Sequence, residues 1–185
     1  TVVPGRSNVA RTCRGTLRPA ELIRIEGAYG EGGGQLLRTA LSLAAITGQP
    51  FQLEHIRARR PNPGLRAQHV AAVRAVAELC AADLEGAELG SRTLTFIPES
   101  PPRPGKYRWE VGTAGSTTLI LQAVLWPLAL ASGPSSVKLV GGTHVAWSPP
   151  VDYVRDVYLW MLERAQSGSL ARLTVDRWGW YPVGD

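Results

Sequence analysis

The sequence predicts an α+β fold built from two copies of a βαβαββ unit, each with helices layered on a mixed four-stranded sheet. Three observations support this class. Short alternating segments are followed by longer segments of helical period, small residues mark the strand-to-helix turns, and the same order recurs after a proline-rich boundary. The expected units span residues 23–100 and 105–185, and residues 1–22, which have no hydrophobic period, are expected to form a disordered tail.

The elements of the first unit follow from periodicity and from its stop signals. Leu36, Leu37, Ala40 and Leu41 share one face of a helix, and Gly48 is a typical helix end. The predicted elements are strands at 22–27, 51–56, 83–89 and 93–97 and helices at 35–46 and 65–81.

The second unit repeats this order with different residues. Its first turn, residues 112–116, again consists of small residues, and Pro149 and Pro150 are typical of a helix start. The predicted elements are strands at 107–111, 137–140, 170–175 and 180–181 and helices at 117–131 and 151–166.

Composition excludes several classes of protein. With 44% hydrophobic and 19% charged residues and no apolar run of membrane-spanning length, the chain is expected to be globular and to have no membrane partner. Its two cysteines cannot form a disulfide scaffold, which favours a reducing, cytoplasmic location. Residues 1–74 hold eleven arginines against four acidic residues, which favours a phosphate-bearing partner; a solvated basic face is the alternative.

The glycine-rich turn at residues 30–34 lies between a strand and a helix. Clustered glycines let the backbone approach an anion at a helix N-terminus. Glu31 could hold a divalent cation, and Arg38, one turn into the helix, could reach a phosphate. The alternative is a tight turn that only needs glycine, and the spacing is neither a Walker motif nor GxGxxG, because Gln35 stands where a glycine is needed.

An arginine-rich loop precedes the second helix. Arg57, Arg59 and Arg60 lie on a proline-stiffened segment suited to a polyphosphate or an RNA backbone, although an exposed basic loop explains them as well. His69, on the helix that follows, is more typical of a packed histidine than of a base. Gln122, a polar residue in an apolar helix, is either a buried hydrogen-bonding group or a ligand contact.

Several runs of residues together resemble the RNA 3′-terminal phosphate cyclase family, from Ile23 to Tyr181. The runs are EGAYGEGGGQLLRTALSLAAITGQPF, IRARRPNPGLRAQH, EGAELGS, VGTAGSTTLILQ and GGTHVAWSPPVDY. The resemblance implies the repeated-unit fold of the large domain of these cyclases and of EPSP-synthase-like proteins.

The resemblance also implies an activity. The family converts an RNA 3′-phosphate to a 2′,3′-cyclic phosphate with ATP and a divalent metal, Mg²⁺ or Mn²⁺, through an adenylated histidine and an adenylated RNA end. It implies that Glu31 lies on the metal side and that His69 lies beside the nucleotide and supports catalysis together with Arg38. The other positions it implies are phosphate or nucleotide contacts: Gln35, Arg38, Arg57, Arg60, Gln68, Gln122 and Pro149.

The nucleophilic histidine of the family has no match among His55, His69 and His144. The resemblance therefore implies an N-terminal portion of a cyclase that is inactive by itself, with the inserted small domain and third repeat expected beyond Asp185. One alternative is the cyclase-like ribosome-assembly protein, which lacks the Glu and Arg that this chain has at Glu31 and Arg38. Another is a polyphosphate- or RNA-binding module without turnover. The oligomeric state stays open.

Overall fold

The computed structural model of the chain describes residues 21–30, 32–166 and 170–180. Most of the expected tail at 1–22, the expected metal ligand Glu31 and the end of the second unit at 181–185 lie outside the described residues.

The first unit has the order of elements that its periodicity predicts. Its elements are β1 (Ile23–Glu26), α1 (Gly34–Thr47), β2 (Phe51–Glu54), α2 (Ala67–Cys80), β3 (Asp83–Glu85) and β4 (Leu94–Ile97). The four strands form one mixed sheet in the order β1-β2-β4-β3. β1 and β2 are parallel, as expected for strands joined by a helix, and β4 is antiparallel to both β2 and β3.

The second unit begins in the same way. Its elements are β5 (Lys106–Glu110), α3 (Thr117–Ala129), β6 (Ser136–Val140) and a long helix α4 at residues 151–166. β5 and β6 are parallel. The middle of α4, Val154–Tyr158, is π-helical.

The two closing strands predicted for the second unit are not formed in the described residues. Residues 170–175 belong to no sheet, and Trp180 makes only a single bridge to His144. Over residues 105–166 and 170–180 the second sheet therefore has two strands where four were expected of the unit. The reason is that an alternating segment becomes a strand only when a neighbour pairs with its backbone, and no described strand lies beside β6 as β4 lies beside β2.

One hydrophobic core joins the two units. It contains buried side chains from both, including Leu41, Phe96, Trp109, Ile120 and Val124. The helices α1, α2 and α3 pack against one another in one layer, which fixes the relative positions of their N-termini.

Cys80 lies in this core as a free thiol, and burial raises its pKa to about 11. A thiol held in its protonated form is unreactive, so Cys80 is a packing residue. Within the described part of the chain, no helix has both the length and the apolar character needed to cross a bilayer.

Candidate functional site

The N-terminal turns of α1, α2 and α3 meet at one end of the helix layer. Three contacts bring them together: Arg38 Nε with Gln122 Oε1 at 2.9 Å, the Ser116 N–H with Gln68 Oε1 at 3.4 Å, and Gly34 with the His69 ring. α1 and α3 have no side-chain N-cap hydrogen bond, whereas the N-cap N–H of α2, at Arg66, donates to His69 Nδ1; none of the three helices has an acidic residue in its first turn. The N–H groups of His69 and Thr117 donate to the carbonyls of Arg66 and Gly142, but the positive ends of three helix dipoles still meet at one place, which suits an anion.

At Gly34 the start of α1 lies against the His69 side chain of α2. A Cβ atom at this position would lie 2.3 Å from His69 Nε2 and 3.0 Å from Arg38 Nη1. Two residues earlier, Gly32 has a φ of 59°, in the left-handed region that favours glycine. The glycine-rich turn thus fulfils a conformational need and also exposes the start of α1 next to two nitrogen-bearing side chains.

Arg38 is a buried cation. It is only 9% exposed, and burial lowers the pKa of its guanidinium. Its Nε donates to Gln122, and no carboxylate of the described residues lies within ion-pair distance. A buried charge without a counter-ion is costly, so the most economical partner for Arg38 is an anionic ligand.

His69 is a neutral hydrogen-bond donor in this site. Its Nδ1 accepts the backbone N–H of Arg66 at 3.0 Å, so the ring hydrogen is on Nε2, which faces Gly34. Burial, together with the charges of Arg57, Arg38 and Arg66, lowers the His69 pKa to about 4. Near neutral pH the ring therefore offers an N–H to a ligand and has no lone pair at Nε2 with which to act as a base or nucleophile.

Arg57 closes the arginine-rich loop. Its Nη1 donates to the carbonyl oxygens of Asn62 at 2.6 Å and Gly64 at 3.0 Å, and its own φ is 53°. Burial and the charges of Arg66 and Arg60 lower the Arg57 pKa. Part of the guanidinium is thus used to shape the loop, a role that the sequence analysis did not foresee.

Arg59 and Arg60 reach from this loop to the glycine-rich turn. Arg59 Nη1 donates to the Gly30 carbonyl at 3.0 Å, and Arg60 Nη2 lies 3.7 Å from the position of a Cβ on Gly33. Arg57, Arg60 and Arg38 therefore lie around the same turn. Sequence reasoning missed the Arg59 contact, because nothing in the local pattern indicates which carbonyl it will find.

The profile of the family described as RNA 3′-terminal phosphate cyclase matches residues 29–185. This chain belongs to the RNA 3′-terminal phosphate cyclase family. It is 59% identical over 169 residues to the RNA 3′-terminal phosphate cyclase of Methylococcus capsulatus, with 88% of this chain and 46% of that protein covered. It is 53% identical to the proteins of that name from Gloeothece citriformis and Hyperthermus butylicus, with 88% of this chain covered in both and 48% and 45% of those proteins. The chain thus spans about half the length of these relatives.

The remaining positions expected from the cyclase resemblance differ in their surroundings. Gln122 orients Arg38, and Gln68 contacts the start of α3. The Pro149 carbonyl accepts a hydrogen bond from Thr118 Oγ1 at 2.8 Å, so Pro149 is tied to the start of α3 through its backbone. Gln35 is exposed in the first turn of α1 and makes no hydrogen bond to a described side chain.

The two other histidines are bonded to carboxylates. His55 is exposed, with its Nδ1 2.9 Å from the Glu26 carboxylate, and His144 Nε2 is 3.0 Å from Asp152 Oδ2. The His144 ring also stacks on Trp180 at 4.4 Å between centroids. His144 therefore fastens residues near 180 to the start of α4. Among the described residues, no three metal-ligating side chains come together.

Proposed function

We propose that this chain forms the phosphate-binding part of an RNA 3′-terminal phosphate cyclase. The reaction proposed is the ATP-dependent conversion of an RNA 3′-phosphate into a 2′,3′-cyclic phosphate, with AMP and pyrophosphate as the other products. The observation that carries the proposal is Arg38, a buried cation without a described carboxylate partner, where the N-termini of three helices meet. The names of the relatives supply the reaction class.

The residues around Arg38 suit the phosphates of ATP or of an RNA end. The guanidinium gives charge-assisted hydrogen bonds, and Gln122 fixes its orientation through Nε, which leaves Nη1 directed toward the Gly34 side. His69 offers a neutral N–H beside Gly34, and the first turns of the helices offer backbone N–H groups. Together these donors can bind and orient phosphate oxygens.

The divalent metal, Mg²⁺ or Mn²⁺, is proposed to be held by Glu31 together with phosphate oxygens. Its chemistry would be to neutralise charge between the carboxylate and the phosphates. A carboxylate next to this cluster of helix N-termini would otherwise repel a phosphate ligand.

None of the described histidines is proposed as the nucleophile. His69 carries its hydrogen on the nitrogen that faces the site, both ring nitrogens of His144 are bonded, to Thr143 Oγ1 and Asp152 Oδ2, and His55 does not match the nucleophile position of the family. We propose that the reacting histidine of the complete enzyme lies outside the positions matched here, so that this chain alone forms no nucleotidyl adduct. We also propose a cytoplasmic location, supported by Cys80, which is buried as a free thiol.

Two rival functions remain as outcomes of the test. A cyclase-like ribosome-assembly protein lacks the arginine of the glycine-rich motif, whereas Arg38 is present and directed toward the turn. A nucleotide- or RNA-binding module without turnover would share the anion site but never form a cyclic end.

The deciding experiment is a cyclisation assay with an RNA 3′-phosphate, ATP and Mg²⁺ or Mn²⁺. It is run on the 185-residue chain and on the protein as its gene encodes it. We expect the gene product to form the 2′,3′-cyclic end and the 185-residue chain to bind ATP without a covalent label from α-labelled ATP. A gene product that binds ATP but never cyclises the RNA would support the binding module. A label on the chain that is lost in His69→Gln or His144→Gln would refute the assignment of the nucleophile.

A further inference from the structure

Trp147 combines two features that are unusual for a tryptophan. Its relative accessibility is 101%, higher than that of any other large apolar side chain among the described residues. Its φ is 65°, in the left-handed region that bulky residues rarely adopt. The strained backbone is a cost to the folded chain, and the exposed indole ring gains no burial energy to offset it. Strain of this kind is found at ligand-binding sites, so Trp147 is a candidate for a ligand contact.

A β-turn holds Trp147 in this conformation. The Ser148 N–H and the Ser148 hydroxyl both donate to the Val145 carbonyl, at 3.2 and 2.8 Å. Trp147 is therefore the third residue of the turn, a position where a positive φ normally selects glycine or asparagine. Because two hydrogen bonds close the turn, the indole ring stands on a fixed support.

The residues on both sides of this turn are bonded to the start of α3. After the turn, the Pro149 carbonyl accepts a hydrogen bond from Thr118 Oγ1 at 2.8 Å. Before the turn, the Gly142 carbonyl accepts the N–H and the hydroxyl of Thr117, both at 3.0 Å. Trp147 is two residues from Pro149, so their Cα atoms are at most about 7.6 Å apart. The indole ring therefore stands beside the part of the anion site that α3 contributes.

A nucleobase is the ligand that suits an exposed indole ring next to an anion site. Every base has a flat π-face that stacks on tryptophan, and the bases at a single-stranded RNA end are free to stack on a protein. A fully exposed ring requires a ligand that continues out of the site to cover it. An RNA chain held by its terminal phosphate does this.

We infer that Trp147 stacks on the base of the terminal nucleotide of an RNA whose 3′-phosphate lies in the anion site. The inference rests on the proposed function, because that function supplies RNA as the ligand. It separates two parts of RNA binding: Arg38 and the helix N-termini bind the phosphate, and Trp147 holds the base. Stacking needs no hydrogen-bond pattern, so the contact accepts any of the four bases.

The test is binding of a short RNA 3′-phosphate to the protein as its gene encodes it, measured by fluorescence anisotropy of a 5′-labelled RNA. Trp147→Leu should weaken RNA binding about tenfold, whereas Trp147→Phe, which keeps a ring, should stay within about threefold of the wild type. Both variants should bind ATP within about twofold of the wild type. The matched control is Trp160→Leu, which removes a half-exposed tryptophan from α4 and should leave RNA binding within about twofold.

An RNA that lacks its terminal base tests the same contact from the ligand side. It should bind the wild type about tenfold more weakly than the intact RNA, and Trp147→Leu should weaken its binding no further. Trp147→Gly distinguishes a ligand contact from a structural role. Glycine accepts the positive φ, so the urea midpoint of unfolding should not fall, while RNA binding falls about tenfold.

Four results would overturn the inference. Equal RNA affinity of Trp147→Leu and the wild type, with cyclisation intact, would remove the stacking contact and leave the proposed function standing. Equal losses of ATP and RNA affinity would place the ring on the base of ATP instead. Shielding of Trp147 from acrylamide in the gene product before RNA is added would show that the protein itself covers the ring. A wild type that binds no RNA 3′-phosphate would overturn the proposed function together with this inference.

Discussion

Replacing Gly34 by alanine tests how closely the anion site is built around the start of α1. The added Cβ would lie 2.3 Å from His69 Nε2 and 2.9 Å from its Cδ2, well inside contact distance. The ring cannot easily move away, because it is 4% exposed and its Nδ1 accepts the Arg66 N–H. The methyl group must therefore displace either the start of α1 or the ring.

The size of the effect follows from these two choices. Overpacking of this kind costs about 1–3 kcal/mol, offset by at most about 1 kcal/mol from the better helix propensity of alanine. We expect a net loss of about 1–2 kcal/mol in the free energy of unfolding. If the ring moves, the site also loses the Nε2 donor, and ATP binding should weaken about tenfold, equivalent to about 1.4 kcal/mol.

Gly33→Ala is the matched control. Its φ is −80°, and a Cβ there has nothing closer than Arg60 Nη2 at 3.7 Å. We expect only the cost of alanine at an N-cap, about 0.5–1 kcal/mol, and nearly unchanged ATP binding.

The assays are urea unfolding, ATP titration and an NMR titration of His69. The pKa of His69 should stay near 4 in Gly33→Ala and rise toward its ordinary value in Gly34→Ala if the ring is expelled. Equal ATP affinity in the two variants, with His69 unchanged in both, would refute the reasoning.

Three further predictions concern the arginine-rich loop, the neutral histidine and the proposed metal ligand. Arg57→Ala should weaken binding of ATP or an RNA 3′-phosphate by about 1.5–3 kcal/mol in calorimetry, and Arg59→Ala by less; equal losses would contradict the assignment. Because the His69 pKa is about 4 in the folded chain and 6.5 ordinarily, the unfolded chain binds more protons between these values. Stability is therefore full above about pH 6.5 and falls by up to roughly 3 kcal/mol as the pH drops to about 4, a loss that His69→Gln should remove in urea unfolding at a series of pH values. Glu31→Gln should abolish the Mg²⁺ dependence of ATP binding while the fold survives; a variant with unchanged Mg²⁺ dependence would reject the metal role.

Periodicity predicted the elements whose backbone hydrogen bonds are made within a helix or with a strand of the same unit. The helix at Gly34–Thr47 and the strands of the first sheet agree with the prediction to within a few residues, apart from the shorter third strand. Residues 170–175 have the same kind of alternation, but a strand depends on its neighbour, and local sequence does not say whether one is present.

The candidate site was predictable where neighbouring residues form it. Small residues before a helix and a following arginine indicated the turn at Gly34 and Arg38. The bond between Arg38 and Gln122 joins residues 84 positions apart, and the tautomer of His69 depends on one backbone N–H. Contacts of this kind arise from the packing of helices, so periodicity alone could not predict them.

The central claim is that phosphate groups bind where the N-termini of α1, α2 and α3 meet. The most direct measurement is an amide NMR titration of the isotope-labelled chain with ATP. The account predicts that the largest shifts fall in the first turns of these three helices, at Gly34, Gln68 and Thr117, together with the His69 ring. Saturable shifts that cluster instead along β6 or on the exposed face of α4, with these helix starts unchanged, would contradict it.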